Sequence, residues 1–399
     1  MKKTPLSTLK KVFGHDSFRF GQEPLVSAAV EGRDVFGLLP TGTGKTVVFS
    51  LPAIMRPGLT VVITPLISLM LDQLRAAKEN GVIAEGIHYA MTKDQKIVTH
   101  QNLKTGNVKL LYVSPERLTT PKFIAFLKTL KVSGFVVDEA HSVTEHIEFR
   151  PTYTRIGKVM KEIGGQITAV TATATPYTQQ LIIDALGLRD PFCYRASSDR
   201  PNLTYRVIPK QRDGIEQMAE FIKATGSSGI IYRTTRDDVE RTARGLLREG
   251  VDCLPYHAGM LNVARQNNQA AFMSNNPGVV VATVAFALGI DKPDIRWVIH
   301  GDIPQNIEMY AQQCGRAGRD GEHSDCILYY SLSDVPKTRM FVDKTMDNAL
   351  KILNMQMFEQ MIRLCETKKC RRARILKYFG ETYDKDNCKS CDNCLHQKR

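Results

Sequence analysis

The chain has 399 residues, enough for two or three domains, and its 43% hydrophobic and 24% charged residues are ordinary for a globular protein. No apolar run reaches the roughly 18 residues of a bilayer-crossing helix, and no apolar stretch follows the charged N-terminus. We therefore expect a cytosolic protein without a secretory signal or a membrane partner. Lys plus Arg exceed Asp plus Glu by 54 to 41, and this excess favours a polyanionic partner such as nucleic acid.

Short apolar runs typical of buried strands recur in the first half of the chain. They are residues 35–39, 60–63, 109–113 and 135–137. Longer and more polar stretches separate them, and this alternation predicts a parallel sheet covered by helices.

A glycine-rich segment, residues 39–46 (LPTGTGKT), follows the first predicted strand and should open a helix. Its glycines let backbone N–H groups turn toward phosphate oxygens. Lys45 can then reach the β- and γ-phosphates, and the Thr46 hydroxyl can bind Mg²⁺. The strict phosphate-loop pattern asks for glycine at position 39, where this chain has leucine. The alternative is a strand-to-helix turn with a solvated lysine. We predict a nucleotide site formed by Thr41, Gly42, Thr43, Gly44, Lys45 and Thr46.

Two carboxylates, Asp138 and Glu139, directly follow the apolar run 135–137. The carboxyl edge of a parallel sheet is where ligands bind. Asp138 is therefore predicted to hold Mg²⁺, and Glu139 to position and deprotonate the attacking water. A pair of acidic residues that merely caps a helix is the alternative.

A second set of strand-like runs, residues 229–232, 279–282 and 297–299, begins after the polar segment 196–202, which we interpret as a linker. The only tryptophan, Trp297, lies in one of these runs and should belong to the core. Residues 340–377 have helical character, and a cysteine-rich tail follows them.

Four of the nine cysteines are clustered near the C-terminus: Cys370, Cys388, Cys391 and Cys394. Four thiolates can form a closed tetrahedral Zn²⁺ site. Three cysteines at two-residue gaps with a distant fourth also suit a [4Fe–4S] cluster, and unligated thiols are the third possibility. The basic residues nearby (Lys368, Lys369, Arg371, Arg372 and Arg374) could touch phosphates or form a solvated helix face.

Residues 138–141 (DEAH) spell the signature of superfamily-2 helicases, and from this point the chain resembles the RecQ family along most of its length. Three long segments carry the resemblance: 281–293 (VATVAFALGIDKP), 302–308 (DIPQNIE) and 312–321 (QQCGRAGRDG). Shorter segments agree with it: 18–22 (FRFGQ), 65–73 (PLISLMLDQ), 114–118 (SPERL), 171–175 (TATAT), 231–236 (IYRTTR) and 256–260 (YHAGM).

For the nucleotide, the resemblance implies that Gln22 and Arg19 read adenine and that Asp291 also belongs to the ATP site. His15 stands where the family usually has a tyrosine that stacks on the base. Arg316 and Arg319, expected on one helix, would reach across a cleft between two domains to the γ-phosphate. A loop histidine and solvated arginines are the alternatives.

For DNA, the resemblance implies backbone contacts from Ser68 and Arg117, with further contacts from His257 and Thr283. The family's aromatic-rich loop corresponds to residues 145–151, where Phe149 and Arg150 remain but His146 takes the place of tryptophan. This substitution weakens the expected coupling of DNA binding to hydrolysis, because bases stack on those aromatic rings.

We therefore predict an α/β chain with two tandem RecA-like domains, 1–200 and 201–335, and a helical zinc module, 336–399, without a winged-helix domain. The expected function is ATP-dependent 3′-to-5′ movement on single-stranded or 3′-tailed DNA in recombination and repair, with Mg²⁺ and Zn²⁺ as cofactors. A monomer is expected, cytoplasmic and nucleoid-associated if prokaryotic. Unwinding should be weak in the absence of a winged-helix wedge, unless a loop within residues 201–335 or the zinc module serves as the wedge. An RNA-directed helicase and an ATP-gated DNA-binding or annealing protein are the alternatives.

Overall fold

The computed structural model describes residues 4–40, 42–65, 67–88, 91–145, 153–286, 292–343 and 348–396. The chain divides into two compact units, Met1–Ser198 and Asp199–Arg399, and the division lies inside the predicted linker 196–202. Each unit is a parallel sheet covered by helices, which confirms the predicted fold class. The division into three domains, with the zinc module as the third, remains a prediction. No helix in the described ranges is long and apolar enough to cross a bilayer.

The first unit has a seven-stranded sheet in which every pairing is parallel, with the order β3-β4-β2-β5-β6-β1-β7. Its strands are β1 (Val35–Leu38), β2 (Leu59–Ile63), β3 (Ala84–Ile87), β4 (Leu110–Val113), β5 (Val132–Val137), β6 (Gln166–Thr171) and β7 (Phe192–Arg195). The four runs predicted from sequence correspond to β1, β2, β4 and β5. The other three escape prediction because polar residues such as Glu85 and Gln166 interrupt their apolar character.

The helices of the first unit connect these strands. They are α1 (Pro5–Phe13), α2 (Gln22–Val30), α3 (Lys45–Met55), α4 (Ile67–Glu79), α5 (Lys93–Lys104), α6 (Pro115–Leu118), α7 (Pro121–Leu127), α8 (Ser142–Glu145), α9 (Tyr153–Ile163) and α10 (Pro176–Leu186). Alternate residues of each strand point to opposite faces. Phe36 and Val61 therefore join one buried cluster, and Val35 and Val62 join the other. Burial on both faces explains why these strands appear in the sequence as continuous apolar runs.

The second unit has a six-stranded parallel sheet with the order β10-β11-β9-β12-β13-β8. Its strands are β8 (Leu203–Pro209), β9 (Gly229–Tyr232), β10 (Leu254–Tyr256), β11 (Val279–Ala282), β12 (Trp297–His300) and β13 (Ser324–Tyr330). Trp297 is 1% exposed, which confirms its place in the core. Gly229 on the neighbouring strand is required there, because a Cβ would lie 2.0 Å from the indole ring.

The helices of the second unit are α11 (Ile215–Thr225), α12 (Arg236–Arg248), α13 (Asn262–Met273), α14 (Ile307–Cys314), α15 (Val335–Val342), α16 (Asn348–Glu366), α17 (Arg371–Tyr378) and α18 (Asp392–His396), with 3₁₀ turns at Val284–Phe286 and Leu332–Asp334. The segment 340–377, predicted as helical, contains the end of α15, all of α16 and most of α17. Apolar side chains of these helices, such as Phe358 and Ile375, share one buried cluster with Leu203 of β8.

Candidate nucleotide site and metal centre

The glycine-rich segment connects β1 to α3, as its sequence predicts. Gly42 and Gly44 have φ values of 83° and 76°, a left-handed conformation that favours glycine. Gly44 is the N-cap of α3, so Lys45 and Thr46 begin the helix. The loop therefore ends at a helix N-terminus, where backbone N–H groups and the helix dipole attract anions. Thr41 lies outside the described residues.

Two residues of the segment 18–22 hold the backbone of this loop. The Gln22 side-chain amide donates to the carbonyl oxygens of Thr43, at 2.8 Å, and Gly44, at 3.0 Å. Arg19 donates from Nη1 to the Gly42 carbonyl at 2.7 Å. Both residues thus lie beside the loop, whereas their contact with adenine stays a prediction. His15 is exposed in the loop that precedes them.

Lys45, Asp138 and Glu139 meet at the carboxyl edge of the first sheet. Asp138 and Glu139 directly follow β5, and Lys45 Nζ lies 3.0 Å from Glu139 Oε1 in an ion pair whose side chains are mostly buried. Glu139 has a φ of 48°, which is uncommon for a residue with a Cβ and marks a constrained backbone. A cation and two carboxylates are therefore gathered where the glycine-rich loop ends.

Three polar residues whose roles the sequence analysis did not identify hold these carboxylates in place. Gln73 of α4 donates from Nε2 to Asp138 Oδ2 at 2.7 Å. His141 lies with Nδ1 3.5 Å from Glu139 Oε2 and 2.8 Å from Thr171 Oγ1, at the end of β6. The presence of Gln73 and Thr171 in the segments 65–73 and 171–175 was the only sequence signal for them.

Burial and the neighbouring Glu139 carboxylate raise the pKa of Asp138, while Lys45 and the hydrogen bond from Gln73 oppose that rise. Both opposing groups favour the ionised carboxylate. Hard oxygen donors of this kind are the ligands that Mg²⁺ prefers. Asp138 and the hydroxyl of Thr46 thus fit the predicted magnesium site by their chemistry.

Arg316 and Arg319 belong to the second unit, and their predicted placement on a helix is wrong. The helix α14 ends at Cys314, and residues 315–320 form turns. Gly315 and Gly318, which favour helices poorly, explain the early end. Burial raises the pKa of the Tyr232 hydroxyl, and both arginines lie close enough to oppose that rise. Their role toward ATP remains a prediction.

The residues expected to contact DNA are only partly described. Arg117 of α6 has its guanidinium 4.8 Å from the centre of the Phe123 ring. His257 follows β10 and lies with Nε2 2.9 Å from Glu240 Oε1. Thr283 follows β11, and its N–H donates to the Tyr256 carbonyl at 3.2 Å. The structure therefore brings His257 and Thr283 to one edge of the second sheet. Four of the expected site residues lie outside the described part of the chain: Phe149, Arg150 and the side chain of Ser68 for DNA, and Asp291 for ATP.

The four clustered cysteines converge in space: their Sγ atoms all lie within 4.8 Å of one another. Four sulfurs about 2.3 Å from one zinc ion stand roughly 3.8 Å apart, so this arrangement is close to that of a single ion. A four-iron cube would hold the sulfurs further apart, because iron and sulfide atoms stand between them. Cys370, Cys388, Cys391 and Cys394 therefore fit Zn²⁺.

Backbone amides already point at these sulfurs. The N–H of Arg371 lies 3.4 Å from Cys391 Sγ, and the N–H of Cys391 lies 3.2 Å from Cys388 Sγ. Such bonds stabilise thiolates, the form that binds metal. Because four protein sulfurs would fill the tetrahedral positions of the ion, the centre fits a closed, structural zinc site.

Two of the basic residues near the cysteines are buried, which contradicts both the expected phosphate contact and the expected solvated helix face. Arg371 is buried and donates from Nε to Asp392 Oδ1 at 2.6 Å. Arg372 is buried and donates to the carbonyl oxygens of Arg200, at 2.7 Å, and Leu203, at 2.5 Å. These arginines attach α17 to α18 and to the start of β8. Neither interpretation of the basic run, as a phosphate contact or as a solvated helix face, therefore holds at these two positions.

Three family profiles match the chain along most of its length. They are DEAD/DEAH box helicase at residues 20–181, helicase conserved C-terminal domain at 213–321, and RecQ zinc-binding at 332–395. The last of these supports Zn²⁺ as the metal of the four cysteines.

Whole-chain relatives agree with the profiles. The chain is 40% identical over 398 residues to an ATP-dependent DNA helicase RecQ of Haemophilus influenzae, covering 99% of this chain and 64% of that protein. It is 39% identical to the protein of the same name from Pasteurella multocida, covering 99% and 63% respectively. The chain thus spans less than two thirds of the length of either relative.

A solved structure supports the fold. The helicase Lhr of Mycobacterium smegmatis, solved with single-stranded DNA and AMP-PNP, superimposes with a TM-score of 0.67 at 21% identity, covering 86% of this chain and 50% of that one. At this identity the similarity concerns the fold alone.

Proposed function

The chain belongs to the RecQ family of helicases, and on that premise we propose that it is an ATP-driven DNA helicase that moves 3′ to 5′ along single-stranded DNA. One observation carries the proposal: Lys45, Asp138 and Glu139 gather at the carboxyl edge of the first sheet. A cation at a glycine-rich loop, facing two carboxylates, is the arrangement that hydrolysis of a nucleoside triphosphate requires.

In the proposed reaction, water attacks the γ-phosphorus of ATP and the bond to the β–γ bridging oxygen breaks. Lys45 exchanges its Glu139 partner for β- and γ-phosphate oxygens, which leaves the carboxylate available to accept a proton from the water. Asp138 and Thr46 would hold Mg²⁺, which neutralises charge on the phosphate oxygens when it is bound. Arg316 and Arg319 would add cations at the γ-phosphate.

The same rearrangement would involve the adenine side of the site. Gln22 already uses its amide on two loop carbonyls, so reading the base requires it to give up at least one of these bonds. Occupation of the base site would thereby change the contacts that hold the phosphate loop. His15 would stack on the base less extensively than a tyrosine, because imidazole offers a smaller ring.

On the nucleic-acid side, we propose that Ser68, Arg117, His257 and Thr283 contact the strand, with base stacking from Phe149 and a phosphate contact from Arg150. The formal charge of +13 supports a polyanionic partner. The metal centre would have a structural role. The chain would act in recombination and repair as a cytoplasmic monomer.

The test is an ATPase assay without nucleic acid, with single-stranded DNA and with RNA of the same length and base order. Stimulation by DNA well above that by RNA supports the proposal, and the reverse preference assigns the chain to RNA. No hydrolysis under any condition, despite tight DNA binding, assigns it to ATP-gated binding or annealing. Duplexes with a 3′ or a 5′ tail then test polarity, since only the 3′-tailed duplex should be unwound.

A further inference from the structure

Three exposed apolar side chains, here called the apolar patch, lie on the two segments that leave the carboxyl edge of the second sheet after the neighbouring strands β10 and β11. The side chains of Leu261 and Val263 are 81% and 68% exposed, and that of Val284 is 47% exposed. Leu261 and Val263 stand at the start of α13, and Val284 opens the 3₁₀ turn after β11. Exposed apolar groups that are close together point to a binding role more than single ones do.

The patch lies next to residues that we propose to contact DNA. The strands β10 and β11 are parallel neighbours, with Tyr256 opposite Ala282. His257 and Thr283 are the next residues along each strand, and the patch comes from the two segments that continue from them. Ligands of parallel sheets bind at this edge.

Leu261 is not explained by the stability of its own helix. It is the N-cap of α13 and makes no side-chain cap bond. Thr4, Thr92, Thr175 and Thr235 cap other helices of this chain by accepting from a backbone N–H. Leucine is among the poorest N-cap residues, whereas serine is among the best.

The charge around the patch suits nucleic acid. Residues 253–290 contain no Asp or Glu, and Arg265 is their only residue of the Lys, Arg, Asp and Glu types. Another cation, Arg236, lies close to the same loop, since a Cβ on Gly259 would come within 3.1 Å of its side chain. One carboxylate, that of Glu240, lies beside this loop and is paired with His257 Nε2 at 2.9 Å. An apolar surface bordered by Arg236 and Arg265 can still face bases whose phosphates lie alongside.

We propose that Leu261 and Val263 form a wedge that packs against the terminal base pair where single-stranded DNA enters a duplex. Apolar side chains that insert at a base step unstack it, and translocation would drive the duplex against them. The inference rests on the proposed helicase function and adds the element that separates the strands.

The test compares the double variant Leu261→Ser/Val263→Thr with Leu332→Ser, a control at a side chain that is 69% exposed elsewhere in the second unit. In the double variant we expect unwinding of a 3′-tailed duplex to fall at least tenfold. ATPase with single-stranded DNA should stay within twofold of the parent chain, and the control should unwind normally. Because serine caps helices better than leucine, the melting temperature should not fall.

A second readout does not depend on turnover. A 2-aminopurine placed at the junction of the tailed duplex should brighten when the parent chain binds with a non-hydrolysable ATP analogue, and should brighten less with the double variant.

The outcomes separate the wedge from the helicase function. If the parent chain shows no DNA-stimulated ATPase, the proposed function fails whatever the variant does. If the parent hydrolyses ATP and unwinds, and the double variant unwinds equally well, the wedge is wrong. A proportional loss of ATPase, strand binding and unwinding would also overturn it, because the patch would then be a strand contact only.

Discussion

The two sheets of this chain share one strand order, but the loops at their carboxyl edges carry different residues. Counted from the first strand of each unit, the order is 3-4-2-5-6-1 in both, and the first sheet adds β7 beside β1. Because the topology is repeated, each loop at the carboxyl edge of the first sheet has a counterpart in the second. The comparison of these loops separates what the fold provides from what the loops add.

The loops after the first strands differ in their glycines. The loop from β1 to α3 contains Gly42 and Gly44, whereas the loop from β8 to α11, residues 210–214, contains only Gly214. Gly44 and Gly214 are both N-caps with nearly equal φ values, 76° and 78°. The left-handed N-cap is thus common to both units, and the additional glycine of the first loop allows its backbone to approach a phosphate.

The second unit also has a lysine–carboxylate ion pair at the ends of the corresponding strands, but its lysine comes from the start of the loop and not from the helix. Lys210 follows β8 and lies 3.8 Å from Asp302, which follows β12. Lys210 also lies 2.7 Å from Asp334, while Lys337 lies 3.4 Å from Asp302. In the first unit we propose that Lys45 exchanges its partner Glu139 for a phosphate. In the second unit the lysine is fixed among carboxylates, so we expect a structural role.

The largest expected effect is at the lysine of the first unit. Lys45→Ala should reduce hydrolysis by on the order of 10³-fold or more, because the cation at the transferred phosphoryl group is lost. The fold should be retained, as circular dichroism and thermal melting would show. The control Lys78→Ala removes an exposed lysine of the same unit and should hydrolyse ATP normally. Normal turnover in folded Lys45→Ala would remove the nucleotide-site assignment.

The metal centre should stabilise the second unit alone. Cys391→Ser should lower its free energy of unfolding by about 4 kcal/mol or more, as expected when a metal site is lost. Urea unfolding followed by the fluorescence of Trp297, which is buried in that unit, measures this directly. The control Cys193→Ser changes an exposed thiol of the first unit. Metal analysis should give one zinc per parent chain, and a brown protein rich in iron would contradict the assignment.

A smaller effect is expected at the lysine of the second unit. Lys210→Met should lower the free energy of unfolding by roughly 3 kcal/mol, because Asp334 and Asp302 would each lose a buried cation. ATP hydrolysis by the remaining folded protein should change little. Lys223→Met, at an exposed lysine of the same unit, is the control. If Lys210→Met instead abolished hydrolysis without loss of stability, the structural role expected for Lys210 would be wrong, and Lys210 would serve hydrolysis as Lys45 does.

This comparison also shows which features were predictable from the sequence. Strands buried on both faces, the glycine-rich loop between a strand and a helix, and the four clustered cysteines each leave a local pattern, and the structure has these features at the expected places. Strands with polar residues, such as β6, leave no such pattern. The hydrogen bond from Gln73 to Asp138 joins residues far apart in sequence, and only the fold brings them together.

The predictions that were wrong, for two pairs of arginines, failed for the same reason. Arg316 and Arg319 have helical spacing, but the glycines between and before them end the helix at Cys314. Arg371 and Arg372 belong to a basic run, yet both are buried and donate to acceptors elsewhere in the second unit. Spacing and charge predict local structure, whereas partners depend on tertiary packing.

The smallest predicted effect concerns the segment before β1, which we propose to contact the base of ATP. His15→Tyr should lower the KM for ATP about fivefold, since a larger aromatic ring adds roughly 1 kcal/mol of stacking. The kcat should not change, because His15 is exposed in the loop between α1 and α2, outside the glycine-rich loop. Binding of tripolyphosphate, which has no base, provides the matched control and should be equal in the two proteins. If tripolyphosphate binding improved as much as ATP binding, the substitution would act on the loop that Arg19 and Gln22 hold, and not on the base.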